Sequence, residues 1–420
     1  MTYEDFASAQ SVFLWSTFAI ALILGAVVNK TNFCTMGAVS DWVNMGDTGR
    51  MRAWMLAIAV GVLGVMGLEA AGLVNVTDTV PPYRQTNFVW LENVLGGLLF
   101  GIGMTLASGC GNKTLIRIGG GNIKSIMVLL IIAVISYFMI NPFPGSDKTL
   151  YSVLFYSWTN PAAVALTTNQ DVGAMLFGDN AATGRMVMGG VIGGLLLVWA
   201  FKSADFRASF DNILGGLVVG LAVLAAWYVT SNVTINADGD VLSLQAYVQD
   251  WDLYAPADAV KPAAAGPLAS QSFSFVGPMG QALGYAAGGF DRTLITFGVM
   301  ALAGVIAGSL LWSLISRSFR FEWFASGRDF LNHLIGATLM GFGGMLSMGC
   351  TIGQGITGFS TLALGSILTF VAIVLGSAVT MKVQYYKMVY ENEATFFKAF
   401  ITALADLKLL PAGMRKLEAV

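Results

Sequence analysis

Charge is scarce in this sequence. Only 11% of its 420 residues are Asp, Glu, Lys or Arg, against 56% that are hydrophobic, too few to clothe a water-soluble globule in the mixed charged surface it needs. The chain therefore belongs in lipid. A formal net charge of −2, with no basic patch interleaved with aromatics, gives no sign of a nucleic-acid partner. Histidine is nearly absent: the one present, His333, cannot build a metal cluster and suits the flank or cap of a helix start. Cysteine is sparse too. Three residues, an odd number without a CxxC pair, argue against a disulfide framework, a zinc site or a quinone-linked thiol oxidase. Met1 to Gln10 carries Glu4 and Asp5 but no Lys or Arg, so the basic start of a cleaved signal peptide is missing and the first apolar run is expected to remain as a span.

What is present in quantity is apolar sequence and glycine. Runs near the roughly 20 residues needed to cross hydrocarbon fall at 11–29, 53–72, 91–108, 125–141, 186–201, 211–231, 293–316, 331–348 and 366–381. None contains proline; all ten prolines lie in connections or tails, as continuous helices require. The sequence thus predicts an all-α polytopic membrane protein with about nine transmembrane helices, one transporter domain over 1–420. Nine crossings put the termini on opposite sides. With the N-terminus periplasmic and the C-terminus cytoplasmic, 17 of the 22 basic residues face inward, the bias that orients membrane proteins. Two long outer connections, 142–185 and 232–290, are read as plain periplasmic connections ahead of covers or flaps, the second with an Ala/Pro stretch over 255–270. The tail 393–420 begins with helically spaced apolar and charged residues and is expected on the inner membrane surface. Glu69, the acid well inside a span, either couples protons or reaches the outer interface or Arg84.

The chain repeats itself. A shift of 240 positions lays Gly96, Gly101, Gly103, Leu106, Gly109 and Cys110 on Gly336, Gly341, Gly343, Leu346, Gly349 and Cys350. The matched segments follow spans that run in opposite directions. An inverted internal repeat follows, with one half at roughly 11–141 and the other at roughly 186–381.

Each cysteine sits in a glycine-rich, mildly polar interruption: Asn32-Phe33-Cys34-Thr35-Met36-Gly37, Ser108-Gly109-Cys110-Gly111-Asn112-Lys113, and Gly349-Cys350-Thr351-Ile352-Gly353-Gln354-Gly355. A lone membrane cysteine usually serves packing. Three in three breaks call for another reason. Irregular backbone at membrane depth survives only where protein or a water-filled cavity satisfies its polar groups, so the breaks should be re-entrant half-helices lining a passage. Half-helix N-termini favour an anion. Thiols suit a solute that itself offers sulfur. Cys34, Cys110 and Cys350 are therefore candidate transport residues, with Thr35, Asn112, Lys113, Thr351 and Gln354 as candidate solute contacts. Lys113 is equally well read as a lysine reaching the inner face. The twenty methionines are spread through apolar spans as gap-fillers, so a copper route is disfavoured; no metal or other cofactor is expected.

The segments FCTMGAVSDW from Phe33, SGCGNK from Ser108 and MGCTIGQG from Met348 resemble the YeeE/YedE family of bacterial sulfur-compound transporters. The resemblance spans nearly the whole chain; the stretch from Asn232 to Phe290 looks like an addition to the compact members. It implies an inner-membrane, hourglass-shaped monomer of nine spans plus re-entrant helices that imports thiosulfate, handing it along the cysteines by S–H hydrogen bonds with Cys110 near the centre. It also implies cooperation with a small cytoplasmic sulfurtransferase of the TusA type. A selenium compound or another reduced sulfur species is the alternative solute. A membrane thiol enzyme forming a persulfide on Cys110 is the alternative chemistry, but no base lies beside the cysteines. A water or small-ion channel is a third reading.

Overall fold

A computed structural model describes residues 1–256, 259–262, 266–391 and 393–418. Within the Ala/Pro stretch 255–270, residues 257–258 and 263–265 lie outside the described residues, as do the last two of the tail. The first half of the chain contains α1 (Phe6–Thr31), α2 (Thr35–Ser40, continued by a π turn over Asp41–Met45), α3 (Gly49–Ala70), α4 (Trp90–Leu106), α5 (Gly111–Gly119) and α6 (Ile123–Ile140). The second contains α7 (Ala181–Phe201), α8 (Phe210–Asn232), α9 (Val276–Ala287), α10 (Phe297–Ile315), α11 (Gly327–Leu346), the π-helical α12 (Gly353–Gly358), α13 (Leu364–Val389) and the tail helix α14 (Phe396–Asp406).

Among the described residues, eight helices are long and apolar enough to cross a membrane. The eighth of the nine runs expected from the sequence, 331–348, falls mainly in α11, which has 20 residues. Its first two turns carry Arg328, Asp329, Asn332 and His333, which dilutes its apolar character below that of the others. His333 flanks the helix start, its Nδ1 2.8 Å from Asp329 O.

Helix α11 packs on α4, and glycine sets how closely. A Cβ added at Gly96 would lie 2.7 Å from Gly343 O, and one added at Gly336 would lie 2.6 Å from Gly103 O. Only glycine permits backbones this near. The pairing Gly96 with Gly343 and Gly103 with Gly336 makes the helices antiparallel. Under the 240-residue shift these partners exchange places, which is the contact pattern that a two-fold axis produces. The breaks match as well: Ser108 and Met348 both have φ of 57°. The following glycine N–H groups close the helix ends on Met104 O and Gly344 O, both at 2.8 Å, as a Schellman cap does. Around this pair α4 packs on α13, α6 on α11, α1 on α10 and α3 on α8.

Thr2–Tyr3 pairs with Thr234–Ala237, so the N-terminus and the end of α8 share one face, here the N face. The tail lies at the other, the C face: Leu407 packs with Val39 and Met36 of α2. Tyr386 of α13 donates to Asp406 Oδ2 at 2.5 Å, and Arg415 pairs with the same carboxylate. Phe396 and Phe397 stay exposed. Residues 142–180 form short helices over the N face, held by Trp90 Nε1 donating to Ala162 O at 2.8 Å and by the pair of Asp171 with Arg185 of α7 at 2.8 Å, so the outer connection expected to run to 185 ends where α7 begins at Ala181. The stretch 232–290, expected as an outer connection, is one only in part. After a hairpin and two short helices it delivers α9, which packs among α6, α10 and α11. Pro278 sits in the first turn of α9, where its missing N–H is not needed.

Glu69 is tied down by Arg84 through hydrogen bonds of 2.5 and 2.9 Å, while Arg84 Nε donates to Thr361 O at 2.9 Å. The Arg84 side chain is fully buried. Arg84→Met should therefore leave a carboxylate and a carbonyl without partners and cost about 3 kcal/mol. Thermal unfolding in detergent should show a lowered midpoint, partly recovered in Arg84→Met/Glu69→Leu. A single variant melting with the wild type would show that the pair contributes no stability.

Candidate functional site

The three cysteines do the same structural job. Cys34 caps α2 and Cys110 caps α5, while Cys350 directly precedes the turn that leads into α12. In each case the cysteine carbonyl accepts the first helical N–H: Ala38 N at 3.0 Å, Thr114 N at 2.9 Å and Gln354 N at 2.8 Å. An N-cap side chain projects off the end of its helix, toward unsatisfied N–H groups. Gly353 N–H approaches Cys350 Sγ at 3.5 Å. Phe33 stacks on Trp54 with centroids 4.7 Å apart, which anchors the first break. The thiols are buried, with relative exposures of 4%, 2% and 0%.

These ends converge. The Cys34 thiol faces the Cys110 thiol, although the two lie some 76 positions apart in sequence (110 − 34). Cys110 also faces the hydroxyl of Thr351, the residue after Cys350. Cys110 thus lies next to both the Cys34 thiol and the residue that follows Cys350. Four of the polar residues singled out in the sequence are buried with an atom lacking a regular hydrogen bond: Thr35 Oγ1, Asn112 Oδ1, Thr351 Oγ1 and Gln354 Oε1. Each such group costs on the order of 1–3 kcal/mol, so their concentration beside the cysteines is what a solute-binding or hydrated locus displays.

The fifth, Lys113, points toward the C face and donates to Asn32 Oδ1 at 3.1 Å. Arg117 and Arg50 stand near it. Arg50 pairs with the buried Asp41 through both carboxylate oxygens, and its guanidinium fills the space beside Gly37. The C-face side of Cys34 is therefore cationic.

On the N-face side a cavity of about 400 Å³ descends between α6, α9 and α11, with Glu92 of α4 at its wall. Glu92 and Tyr151 meet at its wall, the phenol donating to the carboxylate at 2.7 Å. Its lining reaches Ser274, Met348 and Gly349, one residue short of Cys350. Ser274, Phe275, Arg50, Arg117 and Glu92 also belong to this region, although no motif in the sequence singles them out. A trace of the first two was legible: Phe275 is followed by Met279-Gly280 much as Phe33 is by Met36-Gly37, one residue longer and without cysteine.

The profile of the Sulphur transport family matches residues 30–379. Two relatives carry the name thiosulfate transporter TsuA. That of Escherichia coli (strain K12) is 26% identical over 362 residues, covering 84% of this chain and 90% of the relative. That of Spirochaeta thermophila is 21% identical over 377 residues, covering 87% and 97%.

Proposed function

We propose that this chain, which belongs to the Sulphur transport family, carries thiosulfate through the bacterial inner membrane past Cys350, Cys110 and Cys34 without changing it covalently. The observation that supports this most is the convergence of three cysteine-capped half-helices beside four buried, unpartnered polar atoms. The names of the two relatives point to the same solute.

The chemistry follows from the groups at hand. A thiosulfate dianion in a low-dielectric site needs its charge offset, and converging helix N-termini supply partial positive charge without a buried cation. Its terminal sulfur is a soft acceptor for a thiol S–H. Closely spaced thiols make the transfer stepwise, so that one contact forms as another is released. With the N face periplasmic, as the basic-residue bias favours, solute descends the cavity toward Cys350 and leaves past Cys34. The Lys113, Arg117 and Arg50 cluster then draws the anion to the cytoplasmic side, where a TusA-type sulfurtransferase would receive it.

Purified protein in liposomes should accumulate sulfur-labelled thiosulfate, and cells dependent on thiosulfate as sulfur source should grow on it when they express the chain. Preference for a selenium compound or another reduced sulfur species in competition would reassign the solute. Equal flux of chloride would favour a channel. Mass spectrometry after incubation with thiosulfate should find Cys110 unmodified; a stable persulfide there would favour the thiol enzyme.

A further inference from the structure

The two-fold relation between the repeat copies leaves one position unaccounted for. Three half-helices start at cysteines, yet a fourth, α9, starts at Phe275. It occupies in the second copy the place that α2 holds in the first: α2 packs against α3 and α13, and α9 against α10 and α6. Where Cys34 faces Cys110, the Phe275 N–H and the Ser274 hydroxyl face the Cys350 thiol. The hydroxyl also lies against Gly353, where a Cβ would displace it.

From this we infer that Ser274 and the Phe275 N–H form an oxyanion subsite at the floor of the N-face cavity, binding the oxygen-bearing end of the solute while its sulfur meets Cys350. The inference rests on the transport reading and adds a fourth station to it, built from oxygen and nitrogen rather than sulfur. Three observations carry it. Ser274 is both a lining residue of the cavity and only 7% exposed, so it stands at the boundary between water and the closed centre. Thr351 Oγ1 and Gln354 Oε1, nine-tenths buried and without regular hydrogen bonds, belong to the turn that follows the same cysteine. The start of the 12-residue α9 presents unsatisfied N–H groups, which favour oxyanions.

Hydroxyl and amide are hard donors that match sulfonate oxygens, whereas a thiol matches the softer terminal sulfur. The asymmetry between the two copies therefore orients the solute on arrival: oxygens toward Ser274, sulfur toward the cysteines. A thiol at position 274 would remove that distinction.

The test is the concentration dependence of thiosulfate uptake by full-length protein in liposomes. Ser274→Ala should raise the half-saturating concentration about tenfold, the effect of losing one hydrogen bond to a charged oxygen, with the maximal rate changed much less. Ser274→Cys should raise it as well, since the thiol is a weak donor to oxygen. Sulfite, which offers oxygens but no terminal sulfur, should compete less well against uptake in Ser274→Ala than in the wild type. An unchanged half-saturating concentration and unchanged sulfite competition in Ser274→Ala, with normal amounts of monodisperse protein, would overturn the inference. If the wild type moves thiosulfate while Ser274→Ala behaves identically, the subsite alone fails. If the wild type moves none, the transport reading fails first.

Discussion

Cys110→Ala is expected to abolish thiosulfate uptake while leaving the protein in the membrane at normal levels. Its thiol lies next to both the Cys34 thiol and the Thr351 hydroxyl, which puts it where a solute would pass from one break to the next. A hydrogen bond to a charged group contributes up to about 3 kcal/mol, and losing it at a rate-limiting step slows the rate about a hundredfold. Alanine keeps the N-cap carbonyl bond to Thr114 N and removes only the sulfur, so folding should survive. Cys110→Ser refines the result. Serine retains a donor of similar size but loses the softness that suits sulfur, and uptake should recover only in part. Full activity in Cys110→Ala would show that the thiol packs and does not conduct.

Gly103→Val is expected to destabilise the protein strongly. A Cβ at that position would lie 2.6 Å from Gly336 O and 2.8 Å from Met340 N. Both are backbone atoms of a helix that is itself packed on α6, so neither can give way without separating α4 from α11. Overpacking of this kind costs about 1–3 kcal/mol even where side chains can shift, and here the obstacle is backbone. Because α4 and α11 carry the Cys110 and Cys350 breaks at their ends, parting them also moves the two thiols out of register. Heating detergent-solubilised protein and measuring the remaining monodisperse fraction should show loss at a lower temperature than for the wild type. Gly190→Ala is the control: nothing lies within 4 Å of the Cβ it would add, and alanine favours the helix. Equal heat resistance in Gly103→Val and Gly190→Ala would mean that the glycine contact is looser than described.

Much of this architecture was legible from local sequence because lipid imposes a local rule. A segment must be apolar over its whole length and satisfy its own backbone, so α1, α3, α6 and α10 stand out as runs, and the breaks at Cys34, Cys110 and Cys350 stand out as violations. The 331–348 run was legible as well, and the structure extends its helix back to Gly327, where Arg328 is exposed and the buried His333 is held by Asp329. The break at Phe275 was hidden. It lies in a long polar insert, lacks cysteine, and follows α8 only after more than forty residues, so nothing nearby marks it as a copy of the Cys34 break.

By itself the sequence determined that this is a lipid-embedded helical chain, that its backbone is interrupted at three cysteines, and that two of those interruptions are copies of one another. Those are properties of contiguous residues and of their spacing. Only the tertiary structure decided that Cys34 meets Cys110, that Ser274 faces Cys350, that Glu69 pairs with Arg84, and that the cavity stops beside Gly349. In all but the Glu69–Arg84 pair, whose members are 15 positions apart, the partners come from segments far apart in the chain and joined by helix packing. Contacts of that kind depend on which glycines let two backbones approach, and no local pattern of hydrophobicity encodes the distance between them.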